Sequence, residues 1–183
     1  MLTPDEEAAY PNRTEVRYLT PQRLSNWQEV GPWGSWGARA GAIKGESSML
    51  KAMADAGVRL LVGTDGGFTY LMPGFTIHDE LEMFVQSGLT PEETLRAATS
   101  KAAEFLGQLD EFGVVAAGRR ADLLLLDADP LEDVANVKQR AGVMIRGQWL
   151  SQDELRRMLE EVADGFTAGG APAVALGPSP HHH

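Results

Sequence analysis

At 183 residues the chain fits one domain with a sizeable core, or one domain and a small appendage. Its 43% apolar and 23% charged residues are those of a globular protein, and no apolar run approaches the roughly 18 residues a membrane-spanning helix needs. A net charge of −10 repels phosphate backbones and argues against nucleic acid as a partner, pointing instead to a neutral or cationic small molecule. The absence of cysteine removes disulfides, thiolate metal sites and a Cys nucleophile together.

The first helix start in chain order is Thr3-Pro4-Asp5-Glu6, where a hydroxyl cap precedes Pro at the first helical position and acids in the first turn. The amino terminus, "MLTPDEEAAYPNR", has neither the basic start nor the apolar core of a signal peptide, which makes the cytoplasm the expected location. Thr20-Pro21 opens a second helix. Residues 28–45, "QEVGPWGSWGARAGAIKG", hold five glycines and two tryptophans without periodicity and predict a long irregular loop. Trp33 and Trp36 in it could line a pocket or anchor the loop, and a binding module without chemistry is one reading of the chain.

Glu46 to Ala56 places Met49, Leu50, Met53 and Ala54 on one face and stops at Gly57, an amphipathic helix with a glycine end. The next segment, Val58 to Val62, is short, apolar and bounded by glycines, which predicts a strand covered on both faces. It runs into "GTDGG", residues 63–67. In α/β repeats, ligands and catalytic groups collect at the carboxyl ends of strands, so Asp65 is a candidate site residue; a plain helix or turn cap is the competing explanation.

Ile77 to Ser87 carries Leu81, Phe84 and Val85 at helical spacing and stops at Gly88. His78, Asp79 and Glu80 open that helix. His78, the one histidine outside the tail, is a candidate catalytic residue, with a hydrogen-bonded structural histidine as the competing reading, and the two acids fit a first turn, where they complement the helix dipole. As a metal reading, His78 and Asp65 could share an ion or a water, but a zinc site wants at least three protein ligands and the third is not visible. Thr90-Pro91-Glu92-Glu93 starts one more helix or a broken pair, ending at Gly107.

Beyond Leu109 the pattern changes to short apolar runs. "GVVAAGRRADLLLLDADP" has a Gly turn between two of them, and "GVMIRGQWL" is broken at Arg146-Gly147-Gln148. These predict strands of a small separate sheet. Ser151-Gln152-Asp153-Glu154 caps a last helix reaching about Ala163. The ending "AGGAPAVALGPSPHHH" reads as a flexible tail with a tag. The division expected is thus 1–108, 109–165 and a tail from 166 to 183.

"AGVRLLVGTDGG", "PGFTIHDELEMFVQSGLTPEETLRAATSKAAEFLG" and "FGVVAAGRRADLLLLDADPLEDV" together resemble the carboxyl-terminal part of the amidohydrolase superfamily, most of all its imidazolonepropionase-like and prolidase-like members. The resemblance runs from about Met49 to Trp149. It implies an α/β fold: the last part of an incomplete (β/α)8 TIM-type barrel, with residues 58–63 as the eighth strand, and strands of a small β-sandwich. It also implies a hydrolase that attacks an amide, peptide-like or ester bond of a small-molecule substrate with a water activated by a divalent metal, zinc by expectation. Asp65 inherits the role of metal ligand and base, with His78 and Asp79 as possible local replacements for other ligands.

The family's H-x-H pair, its lysine or acid on the fourth strand and its histidines on the fifth and sixth have no counterpart here. The chain therefore reads as roughly the last third of such a protein, with residual or promiscuous activity. The alternative is an inactive remnant or fragment that associates with itself or with a missing partner, because an open strand edge invites pairing; a homo-oligomer is expected.

Overall fold

A computed structural model of the protein describes residues 9–30, 48–67 and 71–167. The expected helix start at Thr3, the glycine loop with Trp33 and Trp36, and the tail from 168 onward lie outside the described residues. Among the described residues no helix is long and apolar enough to cross a membrane.

Two 3-10 turns, Tyr10–Asn12 and Thr14–Tyr18, lead into helix α1, Pro21–Val30, which starts at the expected Thr20-Pro21. Tyr10, Leu19, Trp27 and Met72 form a buried cluster, with the Tyr10 and Trp27 rings edge to face at 5.8 Å. Helix α2 occupies residues 48–55 and ends in a turn at Gly57, whose φ of 77° is the left-handed conformation that glycine accepts without cost.

Helix α3, Thr76–Gln86, is the hub of the remaining core. Leu81 on one side meets Val134 and Val137 of the 3-10 helix Val134–Lys138. Phe84, one turn on, meets Leu89 and Ala97. The end of α3 is a Schellman cap: the Leu89 N–H donates to the Phe84 carbonyl at 3.2 Å and the Gly88 N–H to the Val85 carbonyl at 2.9 Å, with Gly88 at φ 100°.

Helices α4, Pro91–Ala98, and α5, Ser100–Phe105, are the broken pair, divided at Thr99. A capping box opens α4. Thr90 Oγ1 accepts from the Glu93 N–H at 3.2 Å, and Glu93 Oε2 accepts from the Thr90 N–H at 2.8 Å. These bonds hold the Glu93 carboxyl below its ordinary range. Thr90→Ala is expected to cost about 1 kcal/mol in thermal unfolding at neutral pH. Because the folded-state pKa is depressed, the stabilisation is present above the unfolded value of about 4.3 and lost as pH falls through the folded one. Melts of parent and variant should therefore converge in acid.

One three-stranded antiparallel sheet forms, ordered β1, Leu123–Leu126, then β2, Arg140–Ile145, then β3, Gln148–Ser151. The hairpin between β2 and β3 turns at Arg146 and Gly147, with φ of 49° and 82°. Positive φ at both turn residues matches the strand twist, as in a type I′ turn. Gly142 has no room for a side chain, since a Cβ there would lie 2.2 Å from the Trp149 ring. Helix α6, Gln152–Thr167, packs against this sheet and outlasts the expected end near Ala163. Its expected cap is present: Glu154 Oε2 accepts from the Ser151 N–H at 2.8 Å and from its hydroxyl at 2.6 Å.

Two expected strands do not form ladders. Residues 58–63 run as unpaired chain, and beyond the turn from α2 one backbone bond ties residues 58–62 to a neighbour, Val62 N–H to the Ala97 carbonyl at 3.4 Å. A buried parallel strand takes its bonds from strands on either side, and none flanks this one among the described residues. Leu60 and Val62 pack half-buried against the Phe84 cluster, so helices cover part of the run, while Val58 stays 46% exposed and the expected cover on both faces is absent among the described residues. The run at Val114 is also no strand, and Val115 is 87% exposed.

Candidate functional site

The candidate site is the turn at residues 63–67, which leaves the core where Val62 packs against α3. Both ends of the turn are fixed. At its start the Gly63 N–H donates to Glu80 Oε1 on α3 at 2.9 Å. At its end Arg23 Nη2 on α1 donates to the Gly67 carbonyl at 2.8 Å, and the Gly67 N–H donates to the Leu71 carbonyl at 2.7 Å. Gly67 has φ 113°, a conformation closed to most side chains, so a glycine is required at this position.

Asp65 sits between these anchors with φ 47°, and its side chain is exposed to solvent. Left-handed backbone at a non-glycine residue is uncommon; aspartate tolerates it better than most because its short carboxylate bonds locally. The result is a carboxylate on a rigid turn that water and solutes can reach.

His78 and Asp79, one helix away, have other surroundings. His78 is half-buried, and its Nδ1 has no hydrogen-bond partner among the described residues. Burial pushes its pKa below the ordinary value, and Arg140 and Lys138 push it in the same direction. A depressed histidine pKa favours the neutral ring in the folded state. Its contribution is therefore complete above the unfolded value of about 6.5 and lost as pH falls from there through the folded pKa. Comparing thermal melts at pH 7.5 and pH 5.5, His78→Leu is expected to lose less stability on acidification than the parent; an equal loss would show that the ring is not the acid-sensitive group.

Asp79 is engaged by Arg13, whose Nη2 donates to both carboxylate oxygens at 3.2 and 3.1 Å. Arg13 Nε also pairs with Glu15, which is 7% exposed, so one guanidinium serves two acids and ties the amino-terminal turns to α3. Among the described residues, no three His, Asp or Glu side chains converge closely enough to hold a metal ion. Asp65, His78 and Asp79 thus occupy three environments: an exposed turn, a half-buried helix face and an ion pair.

Two residues that shape the site carry weak sequence signals. Glu80 reads as a first-turn acid, yet its Oε1 reaches back to Gly63 and its Oε2 is buried without a partner among the described residues. Arg23 follows the Thr20-Pro21 helix start, which says nothing of the reach of its guanidinium to Gly67.

The sequence matches the amidohydrolase family over residues 38–150. An imidazolonepropionase of Shouchella clausii is 34% identical over 88 residues, covering 45% of this chain and 19% of the relative. Among solved structures, a bottromycin amidohydrolase superposes with a TM-score of 0.69 at 27% identity, over 92% of this chain and 39% of that one. A Xaa-Pro dipeptidase superposes with a TM-score of 0.53 at 25% identity, over 57% of this chain and 25% of that one. The chain thus spans well under half the length of each of these relatives. The matched segment includes the Asp65 turn, α3 and the sheet as far as Leu150, and by that match the chain belongs to the amidohydrolase family.

Proposed function

We propose that the chain contributes to a hydrolytic centre of amidohydrolase type, in which Asp65 takes a proton from the water that attacks the carbonyl of an amide, peptide-like or ester bond. Residues 58–63 then stand in the place of the eighth barrel strand, and β1 to β3 belong to a small sandwich. The observation that carries this reading is the solvent-facing Asp65 carboxylate, held at φ 47° on a turn anchored at both ends. Unusual backbone that the surroundings hold in place collects at functional sites. Family membership, with a dipeptidase and an amidohydrolase among the structural relatives, supports hydrolysis as the reaction class.

In this scheme the substrate is a small molecule that enters from the solvent side of the turn. A carboxylate at that place removes a proton as the oxygen of water bonds to the carbonyl carbon, and returns it to the leaving nitrogen or oxygen. His78 and Asp79 belong to the scaffold, one buried against the basic edge of the sheet and the other bound to Arg13.

The family resemblance implies a divalent ion, zinc by expectation. The described residues do not fit one, since no three ligands converge, and the proton transfer assigned to Asp65 stands on the carboxylate alone. That same observation favours the second reading, a catalytically inactive member.

A panel of dipeptides, cyclic amides and carboxylic esters, incubated with the purified chain and followed by mass spectrometry of the released acid and amine or alcohol, separates the two. Turnover of at least one class is expected, with or without added divalent ion. No product from any class under either condition would sink the hydrolytic reading in favour of the inactive one.

A further inference from the structure

Strand β1 consists of four leucines and lies at an edge of the sheet. One side pairs with β2; the other has no hydrogen-bond partner among the described residues. Edge strands are ordinarily protected by charge, proline or a bulge, and Leu123–Leu126 has none of these within it. The register does shift between Leu125 and Leu126, but the extra residue, Ala141, is on β2, so β1 keeps its alternation. Leu124 and Leu125 are 56% and 55% exposed and point to opposite faces, so β1 is apolar on both. The other edge is less open: β3 begins at Gln148 and ends at Ser151, whose N–H and hydroxyl are used by the cap of α6.

Hydrogen bonding fixes which β1 groups face outward. The Ala121 carbonyl accepts from the Gly147 N–H at 3.0 Å, and the Asp127 N–H donates to the Gln139 carbonyl at 2.9 Å. Odd-numbered residues therefore face β2. By alternation, the N–H and C=O of Leu124 and Leu126 face away from it.

We propose that a second copy of this chain pairs antiparallel with β1 about a two-fold axis at Leu124, joining two three-stranded sheets into one of six strands. In this register Leu124 exchanges both of its hydrogen bonds with its symmetry mate, and Leu123 lies opposite Leu125 of the second copy. Registers that pair an even-numbered with an odd-numbered residue would set outward groups against inward ones. Charge selects the antiparallel sense. Arg119 and Arg120 precede the strand, while Asp127 and Asp129 follow it. Arg120 is already paired with Asp122, which leaves Arg119 as the net charge of the amino-terminal flank; antiparallel pairing brings that flank of each copy toward the acidic flank of the other, whereas a parallel alignment would bring like toward like. The same patch serves both copies, so the contact closes at a dimer.

Light scattering and sedimentation equilibrium on the 183-residue chain test this, with an expected mass twice the 19.8 kDa of one chain. Leu124→Lys puts two ammonium groups at the axis and is expected to return the mass to that of one chain, with the far-UV circular dichroism unchanged. The chain has no cysteine, so Leu124→Cys carries a single thiol. A hydrogen-bonded antiparallel pair sets its Cα atoms about 5.5 Å apart, within disulfide range. Mild oxidation is expected to give a covalent dimer on a non-reducing gel, whereas Val115→Cys, on the exposed loop, gives none. A parent chain that stays monomeric at every concentration overturns the proposal. So does a dimer that survives Leu124→Lys and leaves Leu124→Cys uncrosslinked.

Discussion

Phe84→Ala is expected to lower the unfolding free energy by about 3–5 kcal/mol, the range for removing a buried aromatic ring without refilling its space. Phe84 is 7% exposed and packs with Leu89 and Ala97, while Leu50, Ala54, Leu60 and Val62 close around them. Four segments contribute to this one cluster: α2, the chain at 58–62, α3 and α4. None of them can follow the shrinking side chain without abandoning its other contacts, so little of the cavity can collapse. The ring also belongs to the Schellman cap, in which the Leu89 N–H bonds to the Phe84 carbonyl and brings Leu89 onto Phe84.

Domains of this size are stable by roughly 5–15 kcal/mol, so the substitution removes a large share of the total. Denaturant titration followed by circular dichroism measures it, and Phe84→Leu, which keeps most of the volume, should fall between parent and alanine variant. A shift below about 1 kcal/mol for Phe84→Ala would mean that α3 is not the element on which the core is assembled.

The residues around Phe84 also show why some elements were legible in the sequence. Leu81, Phe84 and Val85 repeat at helical spacing and Gly88 ends the helix, so α3 is set by contacts within about one turn of each residue. The same holds for the Thr90 and Ser151 caps, whose partners lie three residues away. The hairpin at Arg146-Gly147 is equally local.

Residues 58–63 behave differently. Their apolar content predicts burial but not the neighbour that provides it; Leu60 and Val62 are partly covered by helices instead of strands, and Val58 is left 46% exposed. The candidate site has the same division. Asp65 stood out because glycines flank it, a local signal. The contacts that hold its turn come from Glu80, 17 residues from Gly63, and from Arg23, 44 residues from Gly67. The ion pair that occupies Asp79 reaches 66 residues back to Arg13. No spacing rule connects such positions; they become neighbours through the packing of α1 and α3.

Asp65→Asn and Asp79→Asn are expected to separate chemistry from scaffold. Asparagine keeps the shape of Asp65 and tolerates left-handed backbone as readily, so the turn at 63–67 should persist and stability should change by no more than about 0.5 kcal/mol. It cannot accept a proton as a base does. Loss of a general base costs typically about 10²–10⁴-fold in rate, so hydrolysis of whichever panel substrate is turned over should fall by at least 100-fold in kcat.

Asp79→Asn reverses the pattern. It leaves the Asp65 turn intact but removes the charge that Arg13 holds at 3.1 Å, and Arg13 then has only Glu15 to pair with. The pair is about one third exposed on each side, which limits the loss to about 1–2 kcal/mol, between the values for surface and buried ion pairs. Specific activity per folded molecule should be close to that of the parent. Thermal melts and initial rates on the same preparations give both numbers. The assignment of roles fails if Asp65→Asn keeps full activity while folded, or if Asp79→Asn loses activity without losing stability, because in that case the carboxylate that acts on substrate is the one bound to Arg13.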